Sequence, residues 1–117
     1  VTRRVIEEAV SEGPVVIVGR GAQQMLGSRD DLLGVFCYAP REALIARCME
    51  RDHLDAGAAA KRVDDVNKQR REWTYANWRR VWAAPESYHL CVNTHLLGVG
   101  GAASLIVHAA RNTFQTQ

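Results

Sequence analysis

The 117-residue sequence lacks any long apolar run. No stretch approaches the ~18 consecutive apolar residues of a membrane-spanning helix, so we expect no membrane span. The first turns carry charged residues at positions 3, 4, 7 and 8, which does not fit the apolar core of a cleavable signal peptide. These features predict a cytoplasmic protein.

Metal-binding and disulfide patterns are also missing. The sequence has neither Cys-x-x-Cys nor His-Glu-x-x-His, so we expect no metal site. Its three cysteines, Cys37, Cys48 and Cys91, are far apart and odd in number, which argues against a disulfide framework. Cys37 and Cys91 lie within apolar runs, and this predicts that they are small buried side chains.

A third absent feature is the phosphate-binding loop Gly-x-x-x-x-Gly-Lys-Ser/Thr. Such a loop supplies backbone N–H groups and a lysine around the β- and γ-phosphates, and a hydroxyl on Mg²⁺. The two lysines, Lys61 and Lys68, do not follow a glycine. We therefore expect these residues to bind no cofactor by themselves.

The positive charge comes mostly from arginine: the sequence has 13 arginines and two lysines. Arginine-rich codon usage would explain this excess, and so would a need for planar guanidinium groups that bind phosphate with two hydrogen bonds. The formal net charge of +2 is too small to indicate nucleic-acid binding by itself.

The apolar pattern predicts strands that alternate with helices. Three short apolar runs are typical of strands buried on both faces: residues 15–18, 32–38 and 90–93. Four segments have helical periodicity: residues 2–12, 41–53, 58–80 and 102–114. A short helix ending at Leu26 and a turn at residues 98–101 complete the pattern. Strands separated by helices predict a single α/β domain with a parallel sheet.

Ligands of open parallel sheets bind beyond the carboxyl ends of the strands. Gly19-Arg20-Gly21 directly follows the first predicted strand, so Arg20 would project there and could bind a phosphate. An ordinary surface arginine in a tight turn explains the same string equally well.

Two further groups of polar residues fall on predicted helices. Asn67 shares a helix face with Arg70, and Arg47 lies one turn before Arg51. An anionic ligand would relieve the repulsion between Arg47 and Arg51. Solvated helix faces with internal ion pairs are the simpler interpretation of both groups.

Aromatic residues interleave with arginines between positions 71 and 82. Aromatic rings beside arginines are a pattern of nucleic-acid binding, here through Arg71, Trp78, Arg79 and Arg80. Tyr75, Trp78 and Trp82 also fall at helical spacing, which favours a stripe that faces the core. We therefore consider nucleic-acid binding the weaker hypothesis.

Taken in order, several segments resemble the cytidylate-kinase-like family of P-loop nucleoside monophosphate kinases. The similar segments are residues 15–21 (VVIVGRG), 35–40 (VFCYAP), 67–70 (NKQR), 88–94 (YHLCVNT) and 97–98 (LG). The resemblance implies an α/β fold whose parallel-sheet, P-loop-kinase-like core has flanking helices. The N-terminal strand and phosphate loop of the family are missing from the chain, so residues 1–117 would form a single partial domain with a lid-like helical segment at about 54–84.

The resemblance also implies roles for particular residues. Gly19, Arg20, Gly21, Asn67 and Arg70 would hold the acceptor nucleotide. Two arginines would steady the transferring phosphoryl group: Arg47 and Arg51. The family has an acidic residue where Asn67 stands and an arginine where Leu44 stands, and both departures weaken the expected grip on the ligand.

In full-length relatives the reaction implied is phosphoryl transfer from MgATP to CMP or dCMP. We expect this chain to be inactive alone, because it lacks the ATP loop. The absent strand would leave unpaired edges in the sheet, so we expect a homodimer or another homo-oligomer. The alternative hypothesis is a non-catalytic module, derived from the kinase fold, that binds a nucleotide or a protein.

Overall fold

A computed structural model describes residues 2–19, 21–26 and 29–114 of the chain. Helices predominate around one small parallel sheet. The elements in chain order are α1 (Thr2–Ser11), α2 (Ala22–Leu26), β1 (Val35–Tyr38), α3 (Arg41–Asp52), α4 (Ala56–Trp78), a 3₁₀ turn (Pro85–Ser87), β2 (Leu90–Asn93) and α5 (Thr94–Phe114).

The sheet contains two strands, β1 and β2, paired in parallel from Val35 opposite Leu90 to Tyr38 opposite Asn93. Helices α3 and α4 form the crossover between them, as a parallel pair requires. The predicted strand at residues 90–93 is confirmed. The strand predicted at residues 32–38 begins only at Val35, and its last two residues are exposed, so the prediction of burial on both faces was wrong.

No strand forms at residues 15–18, contrary to the sequence-based prediction. Val16 and Val18 are 91% and 86% exposed. Within the described part of the chain, residues 15–18 make no backbone hydrogen bond. A β-branched run forms a strand only where another strand pairs with it, and neither β1 nor β2 does so here.

The predicted helices at residues 2–12, 41–53 and 58–80 are confirmed within two residues at each end. Helix α3 ends before His53, which adopts a left-handed conformation. Helix α4 begins at the side chain of Asp55, which accepts a hydrogen bond from the Ala58 N–H, and it ends before Arg79, which is also left-handed. Helices α3 and α4 pack against each other.

Helix α5 begins earlier than predicted. The Asn93 side-chain oxygen accepts hydrogen bonds from the backbone N–H groups of His95 and Leu96, each at 3.0 Å, and so starts the helix directly after β2. The turn predicted at residues 98–101 is reduced to Gly98, whose φ of 74° bends α5. Helical conformation resumes after this glycine.

The buried side chains form small groups. Ile6 of α1 packs with Ala22 and Leu26 of α2. Among the cysteines, Cys48 is buried, Cys91 is half-buried and Cys37 is exposed. The prediction of burial was therefore wrong for Cys37, because the side of β1 that carries it is not covered.

The prediction that Tyr75, Trp78 and Trp82 form one core-facing stripe on a helix was also wrong. Helix α4 ends at Trp78, so Trp82 lies in the loop that follows. Tyr75 is 54% exposed, and its ring faces the guanidinium of Arg79 at 5.3 Å. The side chain that α4 buries in this region is Thr74.

Candidate functional site

An open cavity of about 860 Å³ lies at the carboxyl ends of β1 and β2, a volume typical of small-molecule sites. Phe36 and Tyr38 of β1 line one side. Ala102 and Ile106 of α5 line another, beyond the bend at Gly98. The lining is mostly apolar and includes no Asp or Glu side chain. The location follows the general rule for parallel sheets.

Three of the residues singled out in the sequence meet at this cavity: Arg47, Asn67 and Arg70. Arg47 comes from the middle of α3, and the other two lie one turn apart on α4. The packing of α3 against α4 therefore brings them together. Arg70 points an Nη1 group toward the Asn67 side-chain oxygen at 3.5 Å, which is a long, weak hydrogen bond.

The two arginines of the cavity differ from their neighbours in their charge partners. Within the described residues, neither Arg47 nor Arg70 forms an ion pair with a carboxylate. Arg41 pairs with Asp64 at 2.9 Å, and Arg62 pairs with Asp52 at 3.0 Å. The cavity therefore carries positive charge that these acidic residues leave uncompensated.

Arg51 lies outside the cavity lining. Its guanidinium makes two hydrogen bonds of 3.0 Å to the carboxylate of Asp52. These bonds, together with the bond from Arg62, hold the pKa of the Asp52 carboxyl well below its usual range. The role predicted for Arg51 in phosphoryl transfer stays a prediction.

The Gly-Arg-Gly turn is only partly described, because Arg20 lies outside the described residues. Gly19 and Gly21 both have positive φ, 72° and 70°. A Cβ atom on Gly21 would collide with the ring of Trp78 and lie 2.9 Å from that of Trp73. Neither glycine lines the cavity, and their predicted role in binding the acceptor nucleotide stays a prediction.

Sequence reasoning missed the aromatic wall of the cavity. Trp82 lines it, and the guanidinium of Arg70 lies over the Trp82 ring at 5.6 Å. Phe36 meets the same ring edge-on, with 5.4 Å between centroids. The helical spacing of Trp82 from earlier aromatic residues hid this role, because spacing does not show where a helix ends.

A metal site, a membrane span and a lysine-based phosphate site each require particular features of the described residues. Residues 2–19, 21–26 and 29–114 contain no cluster of three or more His, Cys, Asp or Glu side chains placed to hold a metal ion. In that part of the chain no helix has both the length and the apolar character needed to cross a membrane. Neither lysine lines the cavity, and Lys61 is bound to Asp65 at 2.7 Å.

This fold and this cavity agree with a kinase-like protein, and sequence comparison defines the class. The profile of the cytidylate kinase-like family matches residues 1–96, so the chain belongs to that family. The resemblance seen in the sequence is thereby confirmed. No protein with a curated description matches the chain.

The fold is shared with a crystal structure of an uncharacterized protein from Eubacterium ventriosum. The two chains are 20% identical and superpose with a TM-score of 0.78. The match covers 95% of this chain and 61% of the other, so this chain spans about three fifths of that protein's length. At this identity the likeness establishes the fold alone.

Proposed function

We propose that the chain binds a nucleoside monophosphate, CMP or dCMP, in the cavity at the strand ends, as the acceptor half of a nucleotide-kinase site. One observation carries this proposal. Within the described residues Arg47 and Arg70 pair with no carboxylate, and both line the same cavity as Asn67, beside aromatic side chains.

The charges favour an anionic ligand. A phosphate monoester accepts paired hydrogen bonds from a guanidinium, and Arg47 and Arg70 have no acidic competitor in the lining. The Asn67 amide can both donate and accept, as the edge of a base or a ribose hydroxyl requires. Membership of the cytidylate kinase-like family supports cytidine as the nucleoside.

The phosphoryl-transfer reaction needs a donor site as well. These 117 residues contain no Gly-x-x-x-x-Gly-Lys-Ser/Thr loop, and Lys61 and Lys68 lie away from the cavity, so the residues present do not fit MgATP. We therefore propose that the chain alone does not phosphorylate CMP. The same proposal includes a P-loop-kinase-like core and a lid formed by residues 54–84. It also includes a role for Arg51 in steadying the transferring phosphoryl group, and a cytoplasmic location.

Calorimetric titration with CMP tests the acceptor site. We expect wild type to bind CMP, and Arg47→Gln and Arg70→Gln each to weaken binding about tenfold or more, since each removes a charged hydrogen-bond donor worth about 1.5–3 kcal/mol. Arg71→Gln is the matched control. Arg71 is the exposed sequence neighbour of Arg70 and does not line the cavity.

The control decides between a specific site and general attraction. If Arg71→Gln weakens binding as much as Arg70→Gln, the cavity is not the binding site. If wild type binds no CMP at all, the acceptor-site proposal is wrong, and the non-catalytic module without nucleotide binding takes its place.

A second candidate function is protein interaction, favoured by the exposed valines at residues 15–18. They have the composition of a strand but no strand partner, and the described strands leave one edge of β1 unpaired. We propose that a second copy of the chain pairs with these segments, giving a homodimer. Unpaired strand edges favour this kind of association.

Light scattering during size-exclusion chromatography tests the dimer. We expect Val16→Lys to shift wild-type dimer toward monomer, because it places a charge within the contact. Val5→Lys, at another exposed valine on α1, should leave the dimer intact. A wild-type protein that is monomeric at all concentrations would refute self-association without touching the nucleotide site.

A further inference from the structure

We infer that Trp82 is a positioning residue, which holds the guanidinium of Arg70 at the cavity wall in the orientation that receives the phosphate. This inference rests on the proposed binding of a nucleoside monophosphate. Trp82 belongs to no helix or strand, and it lies between α4 and the 3₁₀ turn at Pro85–Ser87.

Few contacts hold the Arg70 side chain. Its hydrogen bond to Asn67 is 3.5 Å long, and within the described residues no carboxylate pairs with it. The face of the Trp82 ring lies 5.6 Å from the guanidinium carbon. A cation at this distance is attracted by the ring's electron-rich face.

An aromatic ring holds an arginine differently from a carboxylate. An acidic partner, such as the one that Arg51 has in Asp52, occupies the N–H donors and cancels the charge. The Trp82 ring leaves the N–H donors of Arg70 free, because these donors lie in the plane of the guanidinium and the ring lies over its face. The ring carries no negative charge, so it does not cancel the charge of Arg70. Arg70 is thereby oriented and still available to an anion.

Trp82 is itself anchored to the sheet. Its backbone carbonyl accepts a hydrogen bond of 2.8 Å from the hydroxyl of Tyr88. Burial raises the pKa of that hydroxyl above its ordinary value. The ring of Phe36 contacts Trp82 edge-on at 5.4 Å and stacks on Tyr88 at 5.0 Å.

These contacts connect the strands to the binding arginine in one continuous series. Phe36 lies on β1, Tyr88 stands just before β2, and both hold the loop that carries Trp82. Arg70 is exposed, but the ring restricts its guanidinium before the ligand arrives, so less side-chain entropy is lost when the phosphate binds. Loss of the Trp82 ring should therefore lower the affinity for CMP, which carries a phosphate, and leave the affinity for cytidine unchanged.

The test titrates CMP and cytidine against Trp82→Leu, Trp82→Phe, Arg70→Gln and the Trp82→Leu/Arg70→Gln double variant. We expect Trp82→Leu to weaken CMP binding about 2- to 5-fold, the range of an exposed cation–π contact. Cytidine binding should change little, and Trp82→Phe should restore most of the CMP affinity. In the Arg70→Gln background, Trp82→Leu should cause no further loss.

Two results would overturn the inference alone. Equal loss of CMP and cytidine affinity, persisting in the Arg70→Gln background, would mean that Trp82 contacts the nucleoside directly. Strictly additive effects of Trp82→Leu and Arg70→Gln on the urea midpoint of the ligand-free protein would mean that the two side chains do not interact.

Failure of the proposed function would look different. If wild type binds neither CMP nor cytidine, nucleotide binding at this cavity is refuted, and so is the role of Trp82 in that binding. If Trp82→Leu does not fold, Tyr88→Phe keeps the inference testable, because it loosens the loop that carries Trp82 and leaves the ring in place. Tyr88→Phe removes the hydrogen bond to the Trp82 carbonyl, and we expect it to weaken CMP binding and leave cytidine binding unchanged.

Discussion

The carboxylate of Asp52, at the end of α3, accepts a hydrogen bond of 3.0 Å from the guanidinium of Arg62 on α4. At the other end of α3, Arg41 makes two bonds of 2.9 Å to Asp64 of α4. These two links join the helices that carry Arg47 and Arg70 to the cavity, in addition to the packing of α3 against α4. The geometry of the candidate site therefore depends on them.

The pairing of Asp52 predicts a loss of stability in acid. Its bonds from Arg51 and Arg62 lower its pKa in the folded protein below the ordinary value of 3.8. Stabilisation from such a carboxylate is complete above the unfolded pKa and is lost as pH falls toward the folded pKa. We expect urea midpoints of wild type to fall from about pH 4 downward, and those of Asp52→Asn to fall less.

Added salt is the control for this pH dependence. At ~1 M NaCl, screening should reduce the difference between wild type and Asp52→Asn at neutral pH, because the arginine partners are exposed. Identical pH profiles for the two proteins would show that these ion pairs do not form in solution.

The close approach of Gly21 to Trp78 predicts that Gly21→Ala destabilises the protein. The new methyl group would collide with the Trp78 ring, and the φ of 70° is unfavourable for alanine. We expect a loss of roughly 1–3 kcal/mol in the free energy of unfolding, measured by urea denaturation.

Gly100→Ala is the matched control for Gly21→Ala. Gly100 lies within α5, and a Cβ atom there meets nothing within 4 Å. Alanine at an open helical position should stabilise by up to about 1 kcal/mol. If both substitutions have the same effect, Gly21 does not pack against Trp73 and Trp78.

Gly34 and Gln23 should be coupled in stability. The Gln23 amide donates a hydrogen bond of 2.6 Å to the Ser87 carbonyl, and a Cβ atom on Gly34 would collide with that amide. We expect Gly34→Ala to displace Gln23 and to cost about 0.5–1.5 kcal/mol, the value of the lost hydrogen bond.

A double-mutant cycle checks this coupling. In a Gln23→Ala background the collision and the hydrogen bond are both absent, so Gly34→Ala should cost much less than in wild type. Equal costs in the two backgrounds would show that Gly34 is constrained by something other than Gln23.

Arg20 can be tested by binding even though it lies outside the described residues. If the family resemblance assigns its role correctly, Arg20→Ala should weaken CMP binding about tenfold or more, measured by calorimetry. Arg29→Ala is the control, since the Arg29 guanidinium is already bound to Asp31 at 2.8 Å. Unchanged affinity in Arg20→Ala would leave the cavity without a contribution from the Gly-Arg-Gly turn.

Helices were more predictable than strands in this chain. Helix α4 was placed within two residues, because a continuous helical pattern is a local signal, although the cap at Asp55 was not predicted. Residues 15–18 have an equally strong strand pattern and form none. A strand depends on hydrogen bonds to a distant segment, and a pattern within one segment cannot report whether that partner is present.

The candidate site was partly predictable for the same reason. Asn67 and Arg70 lie one turn apart on one helix, so their proximity followed from helical periodicity. Arg51 shows the limit of that reasoning, because spacing alone paired it with Arg47 at a common ligand. The structure pairs Arg51 with Asp52, and Arg51 is not among the residues that line the cavity, so its role at a common ligand stays a prediction.

By itself the sequence determined the family, the helices α1, α3 and α4, the strand β2 and the absence of a phosphate-binding loop within these 117 residues. Only the tertiary structure decided that residues 15–18 form no strand, that Arg47 and Arg70 line one cavity, and that Trp82 lies beyond the end of α4 and beneath Arg70. Periodicity and loop motifs are properties of neighbouring residues. Strand pairing, charge compensation and cavity walls depend on which distant segments pack together.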